Sequence, residues 1–163
     1  MEFKKDIKNK KIFVKREFKA SPEEVWNAWT KPELLDQWWA PKPWKAKTKS
    51  MDFREGGKWL YSMQGPNGEE HFSRADYKKI IPYKSFTGLD SFADADGNMN
   101  NELPVAEWTC TFEKIPGGTV VNVEMTFKSE ADLNKLVEMG FKEGFEAALT
   151  NLDDIFEKQK SYS

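Results

Sequence analysis

The chain has 163 residues, with 25 Lys and Arg against 27 Asp and Glu and a formal charge of -2. That balance lacks the cationic excess that draws a protein to a phosphate backbone, which excludes nucleic acid as an expected partner. The length suits a single domain, residues 1–163 with a core at about 12–158, and one lone Cys110 rules out an intrachain disulfide.

Met1 to Lys15 is basic but holds no apolar run long enough for a signal peptide or a membrane span, so a cytoplasmic protein is expected. Its Lys4, Lys5, Lys8, Lys10 and Lys11 read as a solvated tail leading into a strand. The alternation of Ile12, Val14, Arg16 and Phe18 against Phe13, Lys15 and Glu17 is that first strand. Ser21, Pro22 and Glu24 then form a helix start, with Ser21 able to cap and Glu24 able to reach back to it. Val25, Trp26 and Trp29 share one face of this helix. Thr30, Pro32 and Glu33 repeat the signal and open a second short helix, whose apolar side is Leu34, Leu35 and Trp38.

Pro41 and Pro43 end the helical pair, since each lacks an amide and pushes its predecessor towards extended backbone. Strands are expected at Lys47–Phe53, Lys58–Gln64, His71–Ile81, Ser85–Phe92, Val105–Glu113 and Thr119–Phe127. The punctuation between them, such as Gly56-Gly57, Gly65-Pro66-Asn67-Gly68 and Pro116-Gly117-Gly118, fits an antiparallel meander, and parallel crossovers have no room. From a Ser129 cap to Phe156, apolar residues recur at helical spacing while Lys135, Glu138, Lys142, Glu143, Glu146, Asp153, Asp154 and Glu157 take the other side. One long helix with one apolar stripe must bury it, and an antiparallel sheet offers the surface.

A helix laid across a curved sheet cannot touch every strand, so the space between is packed or left as a cavity. The seven Trp, twelve Phe and four Tyr supply large side chains for either outcome. Trp59, Tyr61 and Met63 share a face of one strand, and Trp108, Cys110 and Phe112 share a face of another; alternation alone leaves core and pocket both open. Gly140 and Gly144, inside the expected helix, each cost about 1 kcal/mol relative to Ala. Close packing against a Trp would compensate for them, as would room for a ligand.

The strings Arg16-Glu17-Phe18-Lys19-Ala20-Ser21-Pro22-Glu23-Glu24-Val25-Trp26-Asn27-Ala28-Trp29-Thr30-Lys31-Pro32-Glu33-Leu34 and Gln37-Trp38-Trp39-Ala40-Pro41 resemble the opening of the START-like (SRPBCC) superfamily. Within it, the chain resembles the family named after the C-terminal domain of the activator of the heat-shock protein 90 ATPase. Met51-Asp52-Phe53-Arg54-Glu55-Gly56-Gly57, Ala75-Asp76-Tyr77-Lys78-Lys79-Ile80-Ile81-Pro82 and Met139-Gly140-Phe141 through Leu152 continue the match. The resemblance implies an α+β helix-grip fold, a seven-stranded antiparallel sheet wrapped round a long C-terminal helix, with two short helices after the first strand. It also implies a cavity for a small, largely apolar ligand such as a lipid, sterol or polyketide-like molecule, and a stress-response setting through the family name.

The expected lining is drawn from Trp59, Tyr61, Met63, Phe86, Trp108, Phe141 and Phe145. No residue stands out as catalytic and no cofactor or metal is expected, since neither a Cys/His cluster nor a phosphate-binding glycine loop occurs. Asp94-Ala95-Asp96-Gly97-Asn98 reads as a polar hairpin loop, because the calcium-loop register puts Phe92 and Leu103 at ligand positions. His71, beside Glu69 and Glu70, reads as an ordinary exposed imidazole. Tyr61, Tyr77, Asp90, Arg54 and Arg74 could each face inward or outward, and Arg54 could instead serve the Gly-Gly bend. Binding is the leading function. A cyclase or dehydratase would need an inward ionisable group, with Tyr61, His71 and Tyr77 the first to test. A co-chaperone of the heat-shock ATPase is the third reading, and a homodimer through an exposed strand or the Trp39–Trp44 loop is left open.

Overall fold

A computed structural model describes the backbone of residues 1–161 and side chains as far as 159. The elements run β1 (Glu2–Asp6), β2 (Lys11–Phe18), α1 (Pro22–Thr30), α2 (Pro32–Trp38), β3 (Lys45–Met51), β4 (Lys58–Gln64), β5 (Glu70–Ile81), β6 (Ser85–Ala93), β7 (Ala106–Ile115), β8 (Gly118–Phe127), α3 (Glu130–Glu138) and α4 (Phe141–Ser161). All strands pair antiparallel in one sheet of order β1-β2-β8-β7-β6-β5-β4-β3. The α+β class and meander connectivity follow the alternation and turn chemistry, with strand ends within about two residues of those expected.

The sheet has eight strands where seven were expected, because the basic opening segment is not a free tail. Glu2–Asp6 pairs with β2 from Glu2 against Lys15 to Asp6 against Lys11. Asn9 drives the reversal: its backbone amide and side-chain amide donate to the Asp6 carboxylate at 3.2 and 2.8 Å, and Lys10 adopts a φ of 58°. These bonds hold the Asp6 carboxyl below its ordinary range. Lys4, Lys5, Lys8 and Lys10 remain exposed, so the solvated reading holds for their side chains.

Ser21 caps α1 as expected, accepting from the Glu24 amide at 3.2 Å, and Ser129 caps α3 by accepting from the Asp132 amide at 3.1 Å. Thr30 does not cap α2. The cap position falls on Lys31, without a side-chain bond, and the Thr30 hydroxyl donates back to the Trp26 carbonyl at 2.8 Å inside α1.

The expected single C-terminal helix is two. Its stripe breaks at Gly140, whose φ of 91° is left-handed, and the Gly140 amide donates to the Val137 carbonyl at 3.0 Å to finish α3. Close packing does not explain this glycine, since a Cβ there would meet nothing within 4 Å; the left-handed backbone requires it, and it also borders the cavity described below. Gly144 lies in regular helix with the Pro41 ring 3.8 Å from where a Cβ would sit, so its neighbour is Pro41 rather than a Trp.

α4 buries Phe145, Ala148, Leu149, Leu152 and Phe156 against the concave face of the sheet and the α1–α2 pair. Each of the large side chains contributes roughly 1.5–3 kcal/mol on burial. Directional bonds fix its seat. Asn151 donates to the Ala40 carbonyl at 3.0 Å, and the Arg16 guanidinium of β2 pairs with Asp153. Bulges in β3 between Thr48 and Ser50, and in β5 between Tyr77 and Ile80, bend the far half of the sheet. No helix among the described residues is long and apolar enough to cross a membrane.

The two helix glycines should separate on substitution. Gly140→Ala places a Cβ on left-handed backbone and is expected to cost about 1 kcal/mol, some 2–4 °C in Tm. Gly144→Ala meets only ordinary contact and should be neutral or gain up to about 1 kcal/mol. Thermal unfolding of the two variants side by side checks both signs.

Candidate functional site

The bend in the sheet and the break before α4 leave a cavity of about 290 Å³. Strands contribute Tyr61 and Met63 of β4, Ser73 of β5, Asp90 and Phe92 of β6, Ala106 and Trp108 of β7, and Met125 of β8. Trp39 and Pro41 close one side, and Leu136, Met139, Phe141, Gly144 and Phe145 close the other. Of the expected lining, Tyr61, Met63, Trp108, Phe141 and Phe145 meet here. Trp59 and Phe86 do not. They border a separate space of about 20 Å³ with Trp29, Trp39, Tyr77, Cys110 and Asp90.

Register explains the split. Trp59 lies one turn of the pleat deeper than Tyr61, in line with Ala75, and Phe86 lies opposite Cys110, so both point into the packed end beneath α1. There the rings close on one another: Trp26 meets Phe53, Phe86 and Phe112 at 5.9, 6.0 and 5.2 Å, and Trp59 stacks on Tyr61 at 4.0 Å. The core reading holds for that half of the aromatic set.

Trp39 divides the two spaces and borders both. Its ring lies 5.2 Å from Trp38, 5.5 Å from Trp59 and 6.0 Å from Trp108 and Phe145, and its indole N–H donates to Tyr61 Oη at 3.0 Å. Trp39, left open by the sequence as part of a dimer-contact loop, is half-buried and packs against the core.

Asp90 is the other residue that pattern reading left unplaced. It points inward, in register with Ala75 on β5 and Ala106 on β7, and these short neighbours leave its carboxyl uncovered. It borders this cavity and the small space, and its carboxyl makes no hydrogen bond to another described residue. Burial first, and the nearby Asp76 carboxylate second, raise its pKa to about 8. Arg74 borders the cavity too, but its guanidinium is bidentate to Asp76, at 2.9 and 2.6 Å, and donates to the Gly97 carbonyl at 2.6 Å. It is committed elsewhere.

Burial likewise pushes the Tyr61, Tyr77 and Cys110 pKa values up, so all three stay protonated; Cys110 is a small apolar filler. His71 is exposed and stacks on Trp44 at 5.7 Å, outside the cavity. Arg54 pairs with Asp52 at 2.5 Å and its carbonyl accepts from the Gly57 amide, serving the Gly-Gly bend. In the Asp94–Asn98 loop the Asp94 carboxylate accepts from the Asp96 and Asn98 amides, each at 2.9 Å, and from the Asn98 side chain at 3.0 Å, which makes it a polar turn.

A curved antiparallel sheet gripping a C-terminal helix over an aromatic cavity defines a START-like, helix-grip protein. The family model for Activator of Hsp90 ATPase homolog 1-like protein matches residues 19–157, and the chain belongs to that family. Among solved structures it is similar to protein Ms6760 from Mycobacterium smegmatis, at 28% identity over 98% of both chains with a TM-score of 0.90. A protein from Arthrobacter aurescens is 30% identical over 96% of this chain and 91% of its own, also with a TM-score of 0.90. One from Staphylococcus epidermidis is 27% identical over 98% and 95%, with a TM-score of 0.84. No functionally curated protein matches the chain.

The folded chain keeps the Asp90 proton up to about pH 8, whereas the unfolded chain releases it near the ordinary carboxylate value. The folded state therefore binds more protons in that window, and the group's contribution to stability falls as pH rises from about 4 to about 8. Asp90→Asn has no proton to lose. Its Tm should exceed that of the parent by a margin that widens across this window to several degrees and is flat above it, as thermal unfolding against pH would show.

Proposed function

We propose that the chain binds one small, largely apolar molecule in the space between the sheet and α4. The observation that carries this reading is the cavity of about 290 Å³ walled by Trp39, Tyr61, Met63, Trp108, Phe141 and Phe145. Its volume lies just below the usual range of ligand sites, roughly 300–1,000 Å³, and its wall has the usual makeup of such sites, mostly aromatic and thioether surface with a few polar groups. Lipid-, sterol- and polyketide-like molecules share that chemistry. We place the protein in the cytoplasm, in keeping with its single buried thiol.

A second reading, a cyclase or dehydratase acting on the same ligand, is favoured by Asp90, which supplies the inward ionisable group such chemistry requires. Product formation from a bound polyketide-like compound, followed by mass spectrometry and abolished in Asp90→Asn, would support turnover. A ligand recovered unchanged after long incubation supports binding alone. Stimulation of the heat-shock ATPase rests on the family name, and a direct ATPase assay decides it.

A thermal-shift screen against lipids, sterols and polyketide-like compounds tests the binding reading. A ligand at a hundred times its dissociation constant adds about 2.7 kcal/mol, or about 5–10 °C for a chain of this size. Gly144→Leu, which builds a side chain into the cavity, should abolish the shift, while Trp59→Phe, at the packed end, should keep it. A shift that survives Gly144→Leu, or none with any class, counts against the cavity.

A further inference from the structure

The cavity wall is mostly apolar, and its polar side chains are Tyr61, Ser73, Arg74, Asp90 and Ser91. Tyr61 Oη is already occupied by the Trp39 N–H, and the Ser73 hydroxyl lies within hydrogen-bonding reach of Tyr61. Asp90 has no partner among the described side chains, and its small cross-strand neighbours Ala75 and Ala106 leave it open to the space beside it. An unpaired polar group in a low-dielectric wall costs free energy until something bonds to it. Resting on the binding reading above, we propose that Asp90 selects the ligand: its carboxyl donates a hydrogen bond to an uncharged, carbonyl-type oxygen on an otherwise apolar molecule and turns carboxylates away.

The surroundings of Asp90 decide between the charge types a ligand could carry. Titratable and charged groups face it from three strands: Tyr61 on β4, Tyr77 with Asp76 and Arg74 on β5, and Cys110 on β7. Tyr61, Tyr77 and Cys110 are neutral, Asp76 is a like charge, and Arg74 is spent on Asp76 and Gly97. α4 offers Phe141, Gly144 and Phe145, and the α2 end offers Trp39. With Arg74 committed and no other cation among the described residues of the wall, an anionic ligand has nothing to neutralise it. The acid itself stays protonated at neutral pH, and a carboxylic acid held neutral in an apolar site is a strong hydrogen-bond donor.

Trp29 offers the carboxyl a water-bridged partner. Its indole N–H is buried without a protein partner, and Trp29 borders the cavity of about 20 Å³ that Asp90 also borders. About 10–15 Å³ suffices for one water, which can accept from Trp29 and donate to Asp90, leaving the acid proton for the ligand.

The test titrates the full chain with 2-decanone, decanoate and decylammonium at pH 6 and pH 9, read by the emission of Trp39 and Trp108 on the wall. The ketone should bind at least tenfold tighter than decanoate at pH 6 and weaken severalfold at pH 9. Asp90→Asn, whose amide still donates, should keep ketone binding and lose the pH dependence. Asp90→Leu should lose about tenfold, the worth of one well-placed hydrogen bond. If decanoate or decylammonium matches the ketone, or Asp90→Leu binds it unchanged, the assignment of Asp90 is overturned while the cavity stands. If none of the three perturbs the emission, the binding reading falls with it.

Discussion

Trp39 holds ring contacts with Trp29, Trp38, Trp59, Trp108 and Phe145 and gives its N–H to Tyr61, so one side chain joins the α1–α2 pair, strands β4 and β7, and α4. Edge-to-face pairs of this kind add roughly 0.5–1.5 kcal/mol beyond the area they bury. The geometric result matters more than the energy. The indole fills the middle of the gap between helix and sheet, so what would be one long trough is packed on the α1 side and open on the α3 side. Cavity position, cavity size and the separate small space beside Trp29 all depend on that ring.

The open half is kept open by absences in specific places. On the cavity wall Ala106 stands across from Asp90 and α4 presents Gly144, whereas Ala75 and Gly88 border the small space beside Trp29. Large residues at these sites would complete a dry core. An acid placed among them carries a stability cost that rises with pH, against the general rule that buried charge is paired. A fold optimised for stability alone would have a Leu or Asn at position 90, and departures of this sort concentrate where a protein does its work.

Much of the fold could be read in the sequence because its signals are local. Ser21 and Ser129 cap, the Gly-Pro-Asn turns punctuate, and apolar alternation marks each strand from Ile12 onward. β1 escaped because only Phe3 in Glu2–Asp6 is apolar, and its pairing depends on an Asp6–Asn9 turn rather than on alternation. The α3–α4 break escaped because Gly140 keeps helical spacing on both sides while its backbone turns left-handed. The cavity lining was half legible. Period two identified Trp59, Tyr61 and Met63 as one face, but which of them meets open space depends on the ring of Trp39, some twenty residues away in sequence. Asp90 needed cross-strand register, which a bulge in β5 shifts and no pattern in one strand reveals.

The protonation states inside the cavity bear on what it can do with a bound molecule. At neutral pH Asp90 is mostly protonated, and Tyr61, Tyr77 and Cys110 are held more firmly so. Every polar side chain that reaches the interior from these strands is thus a donor, and neither thiolate, phenolate nor imidazole is at hand as a nucleophile or strong base. Such a site can grip and polarise a carbonyl oxygen. Abstracting a proton from carbon would require the ionised form of Asp90, which becomes dominant only above about pH 8 and then carries the burial penalty unrelieved. On the proposed binding reading, recognition is the chemistry such an interior offers at least cost, and any turnover built on it has to begin with Asp90 acting as an acid.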